Sequence, residues 1–549
     1  MSNWKPRERR NFRLAILAVG VLGLFIVFFD LNGYRTLTKH EGFVAVVSRE
    51  MLQTGDWVVP RFGGLPRLKK PPLAYWCAAG TSWMFGEHAP WTARFPFAVS
   101  ALLLAVLVGV WAGRWYGRWQ GIAAAMVQIS SVYVISFSRK AEVDMLLCLL
   151  TTSALFLVAN APRDEERRKA AIRWIGIYAL IGLAWLAKFH YGPAMVLGVV
   201  AAWHLFDRRR PRFWEAFNPL GLIVLAACVV IWPWLLLQRV PEAWQIWQTE
   251  TIGRALGDLG REPIWFYIPQ VFVLALPWSF LLWPAARTSY RRAWREADSR
   301  ERFLWVWFGT QFLILTASAF KHHHYLMAVM PALSLILGRE LVTIWSNLRQ
   351  GNLIVKKSLA FIIAGLFLAA GIGAAAGISH RWPHLHFAAV SLGICLASAG
   401  LIATLLLAAR KWTPAAVTVG IGFVICSSIV TAVVFPNRDR RLPSVQFAAN
   451  VRSEVPRGQP ICLYGLKEDP LVYYLEGRVF RLESREELQA ELEQAGSLNL
   501  ITDEANLQQL ANLPYRIERQ PEPASAREMS PHFVLVKIQP LAVASPLRD

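Results

Sequence analysis

The residues able to do chemistry in this chain are the few ionisable side chains that interrupt or border long apolar stretches. His40 and Glu41, in TLTKHEGF, put an imidazole and a carboxylate side by side at the start of a helical pattern. Either could take a proton from an acceptor hydroxyl, although an acid at that place also suits a solvated helix start. Lys69 and Lys70, followed by Pro71 and Pro72, set two cations on a rigid turn. They could hold a lipid phosphate, and a plain interfacial lysine pair is equally common. The turn SRKAEVD gathers Arg139, Lys140, Glu142 and Asp144, where solvated charges compete with a catalytic role. Lys188, His190 and Tyr191 form a similar cluster, for which snorkelling is the simpler reading. Lys321, His322, His323, His324 and Tyr325 complete the set. Consecutive helical residues point about 100° apart, so three adjacent histidines cannot all ligate one ion, and hydrogen bonding to a phosphate or sugar fits them better.

The elements that position these groups follow from composition. The chain has 549 residues, 55% hydrophobic and 17% charged, with 25 Trp and a formal net charge of +21. An ordinary soluble domain has about a quarter of its residues charged, so a soluble globular protein and a disordered chain are both excluded. A basic balance invites a nucleic-acid partner unless the cations sit in loops that orient membrane helices. Thirteen weakly charged stretches approach the length of about 20 residues that crosses a bilayer. They lie near 14–29, 95–112, 120–137, 145–160, 174–187, 192–206, 219–238, 267–286, 303–320, 325–338, 358–378, 387–409 and 414–435. The amino-terminal segment and alternate connections hold 28 Lys and Arg against 10 acids, a balance of +18. That places these segments in the cytoplasm and, after thirteen spans, the carboxy-terminal tail outside. No nucleic-acid partner is implied. A cleaved signal peptide over 1–30 is disfavoured because no small-residue cleavage site follows Phe29.

The expected fold class is an all-α polytopic membrane protein with a C-terminal α/β extracytoplasmic domain. Residues 1–436 form the transmembrane domain, and 437–549 the outer, periplasmic one. The first outer loop, 30–94, carries an amphipathic helix over His40 to Gln53 that suits the membrane surface. In the tail, ICLYGL and HFVLVKI read as strands, and Ser484 to Ala495 as a helix opened by a capping sequence. Of six cysteines only Cys77 and Cys462 could meet outside the membrane, and none has metal-ligand spacing. No phosphate-binding glycine motif supports ATP-driven transport.

The order of these features resembles the GT-C glycosyltransferases that use polyprenyl-phosphate sugars, in the branch of the lipid A 4-amino-4-deoxyarabinose transferases and protein O-mannosyltransferases. The matching stretches are HEGFVAVVSREMLQTGDWVVPRFGGLPRLKKPPLAYW, SRKAEVDMLL, WLAKFHYGPAMVL, REPIWFYIPQVFVLALPWSFLLWPA and FKHHHYLMAVMPALSLILG. The resemblance implies an inverting transfer with the lipid phosphate as leaving group. Carried over by position, Glu41 matches the second acid of the family's Asp-Glu pair, and His40 stands where the Asp should be. Lys70 matches a lysine expected to bind the donor phosphate, while Lys69 replaces a Glu. Tyr325 matches a tyrosine near the site, and Glu142 or Asp144 the acid of the second loop. The family's Arg-Tyr-Ala-Glu is absent at 43–46, where Phe43, Val44, Ala45 and Val46 stand, which argues against aminoarabinose specificity.

The expected activity is therefore transfer of a sugar from a polyprenyl-phosphate donor to a lipid, glycan or protein acceptor in a bacterial inner membrane. The expected catalytic residues are Glu41, His40, Glu142 and Asp144. Donor phosphate falls to Lys70, Lys69, Arg61, Arg261, Lys321 and Tyr325, and other substrate contacts to Lys188, His190 and His324. No residue is assigned to a metal, and a divalent metal cofactor stays an open question that Lys69 argues against. Membrane lipids are the remaining partner. Two readings compete: a lipid or sugar transporter or flippase, whose inverted repeats are not evident, and a catalytically inactive GT-C-like binding protein, which His40 keeps in play.

Overall fold

The computed structural model describes residues 20–33, 36–161, 166–206, 217–250, 260–349, 353–409, 411–439, 443–456, 458–466, 471–475, 478–510, 515–521 and 533–540, besides Arg10 and Leu17. The remainder of the first expected span, with Lys5, Arg7, Arg9 and Arg13, lies outside the described residues.

Among the described residues six helices are long and apolar enough to cross a membrane: Pro90–Trp115, Arg167–Lys188, Pro219–Leu237, His323–Asn347, Pro383–Ala408 and Thr418–Asp439. Two bent pairs raise the number to eight. The chain is thus a polytopic helical protein with a mixed β-sheet region at its C-terminal end. Two expected spans, Asp144–Ala159 and Tyr191–Phe206, are apolar helices shorter than a straight crossing requires.

Two others are not single rods. Arg118–Ser130 meets Val132–Ser138 at 61°, and Ile264–Leu274 meets Trp278–Trp294 at 107°. Pro277 at the second break supplies no backbone donor. The breaks satisfy each other: Val132 N donates to the Leu276 carbonyl at 2.9 Å, and Trp278 Nε1 to Ser130 Oγ at 2.9 Å. Irregular backbone at membrane depth requires this kind of internal partnering.

The amphipathic segment of the first loop is the helix Lys39–Thr54, capped by Thr38 in a reciprocal capping box with Glu41 and ended by Gly55 in the left-handed region (φ 70°). It is not a helix resting on the outside of the bundle. Phe43, Val44, Val46, Val47 and Met51 belong to the main hydrophobic core. Close packing beneath it depends on small residues: a Cβ on Gly121 would come within 2.6 Å of the Gly109 carbonyl, so Arg118–Ser130 lies backbone to backbone against Pro90–Trp115.

The tail forms a five-stranded sheet in the order β4-β3-β5-β7-β6. Here β3 is Ile461–Tyr464, β4 Val479–Leu482, β5 Leu498–Asp503, β6 Tyr515–Arg519 and β7 Phe533–Pro540; a two-stranded turn of β1 (Arg61–Phe62) and β2 (Leu65–Pro66) belongs to the first loop. β3 pairs in parallel with β4 and β5, and β7 runs antiparallel to β5 and β6. Both expected strands are present, and Ser484 caps the helix Arg485–Ala495 in a capping box with Glu487. Cys77 and Cys462 are both free thiols, so no disulfide joins loop and tail.

The sheet region is seated on the first loop. Leu37 N donates to the Tyr474 hydroxyl at 2.6 Å, Thr36 N to Asp439 Oδ2 at 2.6 Å, and Arg481 N to the Gly63 carbonyl at 2.9 Å. Arg49 donates to the carbonyls of Val472 and Tyr473. Phe447, Leu471, Val472 and Phe533 of the tail share the hydrophobic core of the helical part.

Candidate active site

A cleft of about 380 Å³ opens between the Lys39–Thr54 helix, the Arg67–Ala74 segment and the 141–143 turn. His40, Arg67, Lys70 and Glu142 supply its polar wall; Phe43, Val44, Pro71, Ala74, Tyr75, Ala141, Val143 and Ala187 the rest. A second cleft of about 250 Å³ holds Asp144, Cys148, Thr151, Tyr191, His324 and Tyr325. Glu142 and Asp144 stand two residues apart, one in each wall.

Charge in the first cleft is shaped by burial. The Lys70 ammonium is pushed down to about 8, by loss of water first and by Lys188 second. Burial, with Lys70 beside it, lowers His40 to about 4, so the imidazole is neutral near pH 7. Burial raises the Glu142 carboxyl to about 7, against the opposing pull of Lys140. Arg67 is 4% exposed and its guanidinium lies 3.6 Å over the Phe43 ring. The cleft therefore presents cations from one loop and a weakly acidic carboxyl opposite, an arrangement suited to an anion.

Glu41 does not line either cleft. Its carboxylate accepts from Arg94 Nε at 2.8 Å, both side chains being fully enclosed, from Thr38 N at 2.9 Å and from Ala141 N at 3.3 Å. Arg94 also donates to the Leu31 carbonyl. The solvated helix start considered from sequence is corrected here: Glu41 joins the first-loop helix, the helix Pro90–Trp115 and the 139–143 turn. Arg139 is likewise enclosed, and donates to the carbonyls of Ile26, Phe29 and Asp30 that end the helix before them.

Around the second cleft, Lys188 Nζ donates to Asp144 Oδ1 at 2.8 Å and lies 4.0 Å from the Tyr325 ring centre. Glu142, Asp144 and His324 are the described residues that could hold a metal ion, each offering a ligand atom within 4.8 Å of the others. The remaining expected residues stand apart. Arg61 is on the β1–β2 turn, 3.8 Å from Asp56. Lys69, His190 and Arg261 are exposed, and buried Lys321 donates to the Glu262 carbonyl at 3.1 Å.

Sequence reasoning missed Arg67, Cys148 and Thr151. Arg67 falls three residues before Lys70, on the same loop, and that spacing was its only signal. The support of this loop was also missed. Three indole N–H groups donate to its carbonyls: Trp76 to Trp57, Trp232 to Val58 and Trp247 to Leu68, at 2.8 to 2.9 Å.

Residues 69–236, the stretch holding Lys70, Glu142, Asp144 and Lys188, match the family described as dolichyl-phosphate-mannose-protein mannosyltransferase. The resemblance read from the motifs and this match agree, the match covering 69–236 of the 549 residues. Among its particular relatives are two undecaprenyl phosphate-alpha-4-amino-4-deoxy-L-arabinose arabinosyl transferases. That of Pseudomonas aeruginosa is 29% identical over 371 residues, 66% of this chain and 65% of the relative. That of Yersinia enterocolitica is 27% identical over 383 residues, 67% and 68% of the two chains. The chain therefore spans just under two thirds of the length of the first of them. The crystal structure of ArnT from Cupriavidus metallidurans bound to undecaprenyl phosphate has the same fold, with a TM-score of 0.76 at 19% identity over 95% of this chain and 97% of that one.

Proposed function

We propose that the chain is an inverting membrane glycosyltransferase that moves a sugar from a polyprenyl-phosphate donor to a lipid A-like lipid. In this reading it works in the bacterial inner membrane, with thirteen spans, the amino terminus in the cytoplasm and both the clefts and the 437–549 domain on the periplasmic side. The observation that carries the reading is the cleft itself, which sets Lys70 and Arg67 opposite Glu142; Lys70 and Glu142 fall within the segment matched to the mannosyltransferase family, and Arg67 lies just before it.

In the transfer an acceptor oxygen attacks the sugar's anomeric carbon as the bond to the phosphate oxygen breaks. The bonding pair leaves with the phosphate, whose charge rises as it departs. Lys70 and Arg67 stabilise that charge in a water-poor site, the electrostatic contribution that is usually largest. A neutral imidazole with its pKa near 4 is a poor acceptor of a hydroxyl proton at pH 7. The site therefore suits an acceptor that arrives already ionised, such as a lipid phosphate, and His40 then serves as a hydrogen-bonding neighbour. Glu41 acts by position, holding His40 on a helix locked to the bundle.

The test is transfer of radiolabel from polyprenyl-phosphate-linked sugars to extracted lipid acceptors by the purified chain in liposomes. The reading expects labelled lipid with wild type, a loss of at least ten-fold with Lys70→Ala, and retention of most activity with His40→Gln. Tight binding of polyprenyl phosphate without any transfer would leave a binding protein in its place.

A further inference from the structure

Lys188 has surroundings that an ordinary surface ion pair lacks. It ends the helix Arg167–Lys188, and its Nζ donates to Asp144 Oδ1 at 2.8 Å with both side chains largely buried. Two aromatic faces complete the seat, with ring centres 4.0 Å away at Tyr325 and 4.9 Å away at Tyr191. A cation is held there both by charge and by the negative faces of the rings.

The same place is a metal donor set by chemistry. Glu142, Asp144 and His324 offer two carboxylates and an imidazole within 4.8 Å of one another, and His324 Nε2 stands 3.8 Å from Asp144 Oδ2. Carboxylate and imidazole donors suit a divalent ion of the first transition row. Two buried carboxyls so close to each other can both be ionised only with a positive charge beside them. Here that charge is covalently attached: Lys188 lies on Asp144, and Lys140 Nζ is 3.8 Å from Glu142. An ion at these donors would compete with Lys188 for the lone pairs of Asp144 and be repelled by its ammonium.

We infer that Lys188 is a built-in substitute for a divalent cation, filling with an ammonium the donor set that Glu142, Asp144 and His324 would otherwise offer to a metal. This does not depend on glycosyl transfer, because it concerns which cation occupies the seat. It has a direct consequence. Removing the charge while keeping an unbranched side chain one atom shorter, as in Lys188→Met, converts the seat into a working metal site.

The full-length chain, purified in detergent with its affinity tag removed, is incubated with Mn²⁺ or Zn²⁺, dialysed, and its metal content measured by mass spectrometry. Wild type is expected to keep a substoichiometric amount and Lys188→Met about one equivalent, as for a three-ligand site. The double variant Lys188→Met/His324→Ala is expected to lose that equivalent again. Thermal unfolding gives a second readout: added metal raises the midpoint of Lys188→Met and leaves wild type unmoved. The inference is overturned if wild type itself keeps one equivalent that His324→Ala removes, a comparison that stands even where Lys188→Met does not fold. It is equally overturned if folded Lys188→Met takes up no metal.

Discussion

Glu41 and Lys70 are both charged groups of the first loop, and their surroundings give them different roles. The carboxylate of Glu41 meets Arg94, Thr38 N and Ala141 N in a fully enclosed site. Breaking such a pair leaves one charge buried alone, so Arg94→Ala is expected to destabilise the chain by about 3–5 kcal/mol, read by thermal or denaturant unfolding in detergent. Lys70 is pushed down to about 8 and faces the cleft. Its ammonium is present below that pH and lost as pH rises through it. In the proposed transfer kcat/KM for the donor should accordingly fall above about pH 8, following the free protein. Lys70→Arg should remove that alkaline limb, since a guanidinium stays protonated. A profile for wild type that is flat to pH 10 would contradict the phosphate role.

At the scale of elements, the loop that carries Arg67 and Lys70 has little regular structure beyond the β1–β2 turn. Its shape is held by donors from elsewhere. Asp56 accepts from Val58 N, Val59 N and Arg239, and the indoles of Trp76, Trp232 and Trp247 hold three carbonyls. Trp247 bonds Leu68, two residues before Lys70. Trp247→Phe keeps an aromatic ring, smaller than the indole, and loses the N–H, so donor KM should rise several-fold while kcat stays within about two-fold, an effect of at least the 0.5–1.5 kcal/mol of one hydrogen bond. Trp234→Phe, a change at an exposed indole of the preceding helix Pro219–Leu237, should alter neither. The first-loop helix, the capped tail helix and two of the five tail strands were legible because a capping box and apolar periodicity are local signals. The breaks near Ser131 and Pro277 were not, since hydropathy is blind to direction. Two of the three indole contacts join residues 174 and 179 positions apart in the chain, and no local pattern announces them. The lysines and acids of the site were found by their rarity in an apolar chain; Arg67, in a loop rich in cations, did not stand out.

The molecule as a whole joins a helical body to a sheet that reaches back onto the first loop. Tyr474 and Asp439 bond the two residues just before the Thr38 cap, so the tail fixes where the His40 helix begins. Tyr474→Phe should cost about 1 kcal/mol of stability by leaving Leu37 N without that partner, and should speed proteolytic release of the tail. Unchanged cleavage kinetics would mean the sheet is held by its apolar contacts alone. The net charge of +21 also divides at this scale. In the proposed topology most of it lies on the cytoplasmic segments, and the small excess on the outer side includes the cations of the cleft. The central claim, that this outer cleft splits a sugar from a polyprenyl phosphate, is tested most directly by counting products. With a doubly labelled donor, one polyprenyl phosphate should be released for each sugar found on the lipid acceptor, and both should vanish together in Lys70→Ala. Release of polyprenyl phosphate with no sugar on any acceptor, or sugar-labelled lipid formed at the wild-type rate by Lys70→Ala, would contradict the account.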